Sequence, residues 1–223
     1  MIKLILMDVD GTITDSRRRL SAEVIGAIRN AQDKGVLVSL VSGNVIQVMY
    51  SLRVYLGLNA PVFGENGGIM MNDLEVVPFF SNENPRSFFN EIVRLKMADD
   101  LITNRWRETS MGYFPLPGAE ATIRNMAPKF DVEITNSGFS WHILNRGQNK
   151  GFALNWLIKF YRFTEDQVMV IGDNFNDLPM FREGCLKAVP ANAEPQLKKE
   201  ADRVSDLSYG EGTADLINNA ISH

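Results

Sequence analysis

The stretch Ile2-Lys3-Leu4-Ile5-Leu6-Met7-Asp8-Val9-Asp10-Gly11-Thr12 decides the fold. Its apolar run up to Met7 reads as a buried strand, and Gly11 marks where that strand has stopped. Asp8 and Asp10 therefore stand at the strand's carboxyl end, the edge of an α/β sheet where ligands bind. Side chains at i and i+2 of an extended chain share a face, so the two carboxylates are expected to converge on one reacting group. Asp-Gly is also a common turn dipeptide, and residues 8–12 alone are equally compatible with a plain turn.

Downstream, Ser21 is placed to cap a helix whose apolar residues Val24, Ile25, Ile28 and Ala31 follow helical spacing up to Gly35. Val36 to Val41 reads as a second buried strand, ending at Ser42-Gly43-Asn44 before a helix that runs to about Leu56. Pro61-Val62-Phe63 begins a third, short strand, and Asn66-Gly67 reads as a hairpin or strand-end turn rather than a binding element. Val168 to Ile171 and Leu186 to Val189 are further strands, and Glu211 to Ile221 a closing helix. Strands alternating with helices predict a doubly wound, Rossmann-like α/β core with a mostly parallel sheet covered on both faces. Residues 81–149 break this alternation. They begin in the linker-like Ser81-Asn82-Glu83-Asn84-Pro85 and offer helices over Phe88 to Met97 and Ala119 to Met126. Strand-like segments lie around Trp106 to Tyr113 and over Val132 to Thr135 and Phe139 to Leu144, which suggests a small α+β cap inserted into a core of residues 1–80 and 150–223.

Composition narrows the chemistry. The 223 residues are 45% hydrophobic, enough for a sizeable core, and carry a net charge of -4. That balance offers no general attraction to nucleic acid or to an anionic membrane, so an anionic small molecule would have to be caught locally. The apolar run before Asp8 is too short for a signal-peptide core or a membrane span, and a cytoplasmic location is expected. Cys185 has no partner for an internal disulfide and is expected as a buried, inert thiol in a strand. The histidines are His142 and His223, too few to support a Ser-His or Cys-His nucleophile or a zinc cluster. His142 is expected to be a packed side chain. The chemistry falls to carboxylates, lysine and hydroxyls.

Four pieces lie at strand ends or helix starts: Asp8 with Asp10, Ser42-Gly43, Lys150, and Gly172-Asp173 with Asp177. Singly, each has a structural explanation as a helix cap, a solvated charge or a turn. In this order they resemble the four motifs of the haloacid dehalogenase superfamily of phosphatases. The resemblance implies that Asp8 is the nucleophile that becomes an aspartyl-phosphate, and that Asp10 is the acid and base for the leaving oxygen and the attacking water. It further implies that Ser42, Gly43 and Lys150 bind the phosphoryl oxygens. Mg²⁺ would be held by Asp8, Asp173, the backbone carbonyl of Asp10, and Asp177 directly or through water. These roles suit the task, because phosphate monoester hydrolysis requires acceleration of up to about 10²¹, of which positioning supplies only about 7 to 11 kcal/mol. Cations and covalent catalysis must supply much of the remainder. An EF-hand over residues 8–19 does not fit, since Ile13 and Arg19 occupy its sixth and twelfth positions.

The interval from Asp10 to Ser42 holds one helix and one strand, so the insertion lies between Ser42 and Lys150. That placement resembles the archaeal phosphoglycolate phosphatases, relatives of the sucrose-phosphatase and Cof-type sugar phosphatases. Asn44 stands where the sugar-phosphatase branch often has arginine, which favours the first group. A sugar-phosphate phosphatase remains the alternative, ahead of a phosphomutase or a non-catalytic phosphate-ester binder. Arginine suits a substrate carboxylate, and Arg105 or Arg107 beside Trp106, or Arg124, are candidates in the insert. Monomer and homodimer are equally compatible with the sequence.

Overall fold

The computed structural model describes residues 1–222; His223 lies outside them. The core begins with β1 (Leu4–Met7), α1 (Ala22–Asp33), β2 (Leu37–Leu40) and α2 (Ile46–Leu56). Three short strands follow, β3 (Val62–Gly64), β4 (Ile69–Met71) and β5 (Val76–Pro78). The inserted segment contains α3 (Glu83–Arg94), β6 (Ala98–Asp100), β7 (Met111–Pro115), α4 (Glu120–Met126), β8 (Val132–Asn136) and β9 (Trp141–Asn145). The chain then returns through α5 (Lys150–Tyr161), β10 (Val168–Ile171), β11 (Leu186–Val189), α6 (Pro195–Glu200), β12 (Arg203–Val204) and α7 (Tyr209–Ile221).

β12, β11, β10, β1 and β2 form, in that order, a five-stranded parallel sheet. β1 is flanked on both edges and covered on both faces. Ile5 and Met7 pack with Val24 and Ile28 of α1 and Leu216 and Ile217 of α7, whereas Leu4 and Leu6 pack with Ala153, Leu154 and Leu157 of α5. Two-sided burial is why this strand is a continuous apolar run rather than an alternating one. Ser21 caps α1 as the sequence suggests, its Oγ accepting the Val24 N–H at 3.2 Å.

Several elements differ from the sequence expectation. The strand begun at Pro61 leads into a separate antiparallel sheet, β3-β4-β5, joined to the main sheet by a single bridge between Val41 and Phe63. Cys185 sits in the bend before β11 rather than in a strand; it is buried, and burial pushes its thiol up to about 11. In the insert, α3 starts at Glu83 because Pro85 falls in its first turn, where backbone N–H groups have no intrahelical partner. The expected strand over 106–113 is instead a 3₁₀ stretch at Ile102–Trp106 followed by β7. β6, β7, β9 and β8 form an antiparallel sheet, with Phe88 and Ile92 of α3 and Ile123 of α4 packed against Tyr113 and Ile143.

One core residue makes most of the hydrogen bonds at the seam between β3–β4 and residues 108–110. Glu65, in the turn between β3 and β4, is fully buried. Its carboxylate accepts N–H bonds from Glu108 at 2.8 Å and Thr109 at 2.9 Å, and hydroxyl bonds from Thr109 at 3.1 Å and Ser110 at 2.7 Å. The backbone supports the clasp at some cost, since Glu65 and Asn66 both take left-handed conformations, with φ of 51° and 56°. Gln148 closes the seam by donating to the Glu65 carbonyl at 2.8 Å. Glu65→Ala should lower unfolding free energy by about 3 kcal/mol, because several buried donors lose a charged acceptor. Glu65→Gln should lose less. Urea denaturation checks this, and an unchanged midpoint for Glu65→Ala would remove the clasp from the account of stability.

Candidate active site

The carboxyl ends of β1, β2 and β10 converge with the amino end of α5 beneath the insert. Asp8 continues the sheet by one bond, its N–H donating to the Ile171 carbonyl at 3.0 Å. The chain then turns, with the N–H groups of Thr12, Ile13 and Thr14 all directed at the Val9 carbonyl. Asp8 and Asp10 do line one cavity, but through this turn rather than through the shared face of an extended strand. Gly11 is required by the turn. It has φ +88°, and a Cβ there would lie 2.3 Å from an Asp173 carboxylate oxygen.

Lys150 begins α5 behind its Asn149 cap, and its ammonium is almost wholly buried. Nζ lies 2.5 Å from Asp8 Oδ1 and 2.5 Å from Asp177 Oδ1. The other oxygen of Asp177 accepts the backbone N–H groups of Asp173 and Asn174, both at 2.9 Å. Gly172 permits this approach, because a Cβ there would fall 2.6 Å from the Asp177 carboxyl carbon. Asp173 Oδ1 accepts the Thr12 hydroxyl at 2.9 Å. Ser42 is buried and does not cap a helix; its Oγ accepts the Asn44 N–H at 3.1 Å and the Asn44 side-chain amide at 3.0 Å. The same amide donates to Asp10 Oδ2 at 2.7 Å, while Arg18 approaches Asp10 Oδ1 at 3.9 Å.

Asp8, Asp173 and Asp177 can each bring a carboxylate oxygen within 4.8 Å of the other two. Burial, followed by the charge of Asp177, pushes the Asp173 carboxyl up to about 7. Burial also raises Asp8, with Asp177 and Asp173 adding to the effect and Lys150 opposing it. Burial disfavours the Lys150 ammonium, but Asp177 and Asp8 outweigh it and hold its pKa above the ordinary value. Two buried carboxylates and the half-buried Asp173 thus gather around one ammonium, which bonds only to Asp8 and Asp177, a donor set that suits a hard divalent cation. Asp8 and Asp173 have oxygens to offer. Both Asp177 oxygens are engaged by protein donors, and the Asp10 carboxylate faces Asn44, outside this cluster.

The cavity, of about 250 Å³, is roofed by the insert. Arg107, Phe139 and His142 line it opposite Asp8, Asp10, Ser42 and Gly43. His142 is packed, as expected, yet it also faces the cavity. Its Nε2 lies 3.2 Å from the Ser140 hydroxyl and 3.3 Å from that of Ser137. Burial, then the charges of Arg107 and Lys150, hold its pKa well below the usual imidazole range, so it is neutral. Arg105 is exposed, and Arg124 stacks on Trp141 while donating to the Ile134 carbonyl. Asn66 does form a turn between β3 and β4, but it is buried with its amide nitrogen unpartnered, facing Gly43. Asn44, Asn66 and His142 are the contributors that sequence reasoning did not assign to the site. Asn44 alone carried a local signal, its position directly behind Ser42-Gly43.

The pattern of the haloacid dehalogenase-like hydrolases matches residues 5–114 and 116–217. A phosphoglycolate phosphatase of Thermoplasma acidophilum is 48% identical over 212 residues, covering 95% of each chain. A crystal structure of a Thermoplasma acidophilum protein superposes with a TM-score of 0.95 at 45% identity, covering 99% of this chain and 98% of that one. A haloacid dehalogenase subclass IIB sugar phosphatase shares the fold, with a TM-score of 0.80 at 17% identity over 98% of this chain and 99% of its own.

The raised Asp173 pKa has a consequence for stability. Between its ordinary 3.8 and about 7, the folded protein holds a proton that the unfolded chain has released. The stabilising contribution is therefore complete below the unfolded value and is lost as pH rises through about 7. A divalent cation bound at this cluster would replace the missing proton, in which case MgCl₂ should raise the melting temperature more at pH 8 than at pH 5. Asp173→Asn should flatten both trends. Thermal melts across pH check this, and equal Mg²⁺ shifts at the two pH values would contradict it.

Proposed function

This chain belongs to the haloacid dehalogenase-like hydrolase family, and we propose that it is a Mg²⁺-dependent phosphatase hydrolysing 2-phosphoglycolate to glycolate and phosphate. The observation that carries this reading is the placing of Asp8 in one small cavity with Asp10 and Ser42, with Lys150 bonded to the Asp8 carboxylate. The name of the relative at 48% identity supplies the substrate.

In the first step, an Asp8 oxygen attacks phosphorus while the bond from phosphorus to the glycolate oxygen breaks. The Asp10 carboxyl gives its proton to that oxygen, and glycolate leaves. The Asp10 carboxylate then takes a proton from water as the water oxygen attacks the aspartyl-phosphate, which releases phosphate and restores Asp8. Asn44 holds Asp10 for both transfers through its 2.7 Å bond. An ammonium has three donors, and Lys150 directs two at Asp8 and Asp177, which leaves one for a phosphoryl oxygen. Ser42, whose oxygen already accepts bonds from Asn44, is free to donate its hydroxyl proton to another.

Mg²⁺ held by Asp8, Asp173 and the backbone carbonyl of Asp10 would neutralise charge on the phosphoryl group. Asp177 acts mainly as the anchor of Lys150. Residues 81–149 serve as the cap that excludes water and selects the leaving group. The enzyme works in the cytoplasm on a small metabolite, without nucleic acid or membrane as a partner. No helix among the described residues is long and apolar enough to cross a membrane.

Phosphate release from a panel of esters, with and without Mg²⁺, tests the proposal. 2-Phosphoglycolate should be the preferred substrate, and Asp8→Asn should reduce kcat by roughly 10³-fold or more. A preference for hexose phosphates would instead identify a sugar phosphatase, and activity surviving in Asp8→Asn would exclude the covalent route. Asn44→Ala should lower kcat about 10-fold with little change in KM, since it disorients Asp10 without touching the substrate's leaving portion.

A further inference from the structure

We propose that Arg107 is the residue that recognises the substrate carboxylate, and that it does so from a position fixed against the phosphate-binding loop. The inference rests on the phosphatase reading above and assigns the site its second anionic subsite.

Arg107 is buried, 5% exposed, in the roof of the cavity. Nη2 donates to the Gly43 carbonyl at 3.1 Å, and Nη1 donates to the Ser110 hydroxyl at 3.0 Å. A guanidinium carries five N–H donors, so these bonds use two, and Nε has no partner. Glu65 is the acid nearest in effect, and the hydroxyl of Ser110 stands between them, accepting from Arg107 and donating to Glu65. Burial lowers the pKa of Arg107, and Glu65 only partly opposes the shift. A cation withdrawn from water with donors unspent and no direct counter-ion is costly to keep, and a bound carboxylate would complete it.

Position argues the same way. In 2-phosphoglycolate one methylene separates the ester oxygen from the carboxylate, so a reader of the carboxylate must lie beside the phosphate-binding residues. Arg107 bonds to Gly43, the neighbour of Ser42. The other arginines do not meet this requirement. Arg105 is exposed, and Arg124 is committed to Trp141 and the Ile134 carbonyl. Arg18 does line the cavity, but its side chain is 57% exposed, stacked on Phe139 and drawn to Asp10. The clasp at Glu65 also gains a purpose, because it fixes Ser110 and the backbone at Glu108 and Thr109 on which Arg107 is mounted.

The test compares kcat/KM for 2-phosphoglycolate with kcat/KM for 2-hydroxyethyl phosphate, which carries a hydroxymethyl group in place of the carboxylate. Wild type, Arg107→Met, Arg107→Lys and Arg18→Gln are assayed as full chains with Mg²⁺. The same active molecules turn over both esters, so partial misfolding cancels from the ratio. The ratio should fall roughly 10²-fold in Arg107→Met and about 10-fold in Arg107→Lys, which keeps the charge but not the fork, and should hold within about threefold in Arg18→Gln. A wild-type ratio retained in both Arg107 variants would overturn the assignment while leaving the phosphatase reading intact. A loss confined to Arg18→Gln would move the subsite to Arg18. No preference for the carboxylated ester in wild type would overturn the substrate reading, and this inference with it.

Discussion

The buried ammonium of Lys150, held 2.5 Å from both Asp8 and Asp177, is the contact on which the rest of the site depends. It ties the end of β1, the start of α5 and the loop after β10 at one point. Removing it would leave two carboxylates without a counter-charge in a place almost closed to water, the costliest kind of vacancy in a protein interior. Its presence still leaves Asp173 in excess. The carboxylates therefore outnumber the ammonium that faces them, an excess that a bound cation would balance.

This charge arrangement explains the division of labour among the aspartates. Asp177 has spent its oxygens on Lys150 and on two backbone N–H groups, so it shapes the loop and fixes the lysine. Asp8 and Asp173 each accept one side-chain bond through Oδ1 and keep the other oxygen uncommitted, and burial raises both carboxyls. Asp10 is set apart by Asn44 and lies beside the other acids without joining their cluster. Identical side chains are left in different electrostatic states because their hydrogen-bond partners differ.

Much of this was legible in the sequence, for identifiable physical reasons. β1 and β10 are buried on both faces, so their apolar runs stand out, and the acids and glycine that follow mark the strand ends. β3 to β5, β6 and β12 are only two or three residues long, too short to display any period. The strand expected over 106–113 starts only at Met111, and Trp106 is half exposed at the end of a 3₁₀ stretch. Among site residues, Asp8, Ser42, Lys150, Asp173 and Asp177 announce themselves by their positions at element ends. Arg107 stands among three candidate arginines in the sequence, and what singles it out, like the facing of His142, depends on the insert folding back over Gly43, more than sixty residues earlier in the chain.

The two sides of the cavity are fastened unequally. On one side the Glu65 carboxylate holds the insert through four hydrogen bonds sealed from water. On the other, the β8–β9 loop meets the core through Arg18 over the Phe139 ring, 4.3 Å from its centre, and through one long 3.5 Å bond from Asn174 to the Ser137 carbonyl. An exposed cation–ring contact contributes only about 0.5 to 1 kcal/mol. The enclosure is thus a jaw with a riveted back and a lightly fastened front: widening it at Phe139 would break only weak contacts, and Arg107 is mounted on the riveted side.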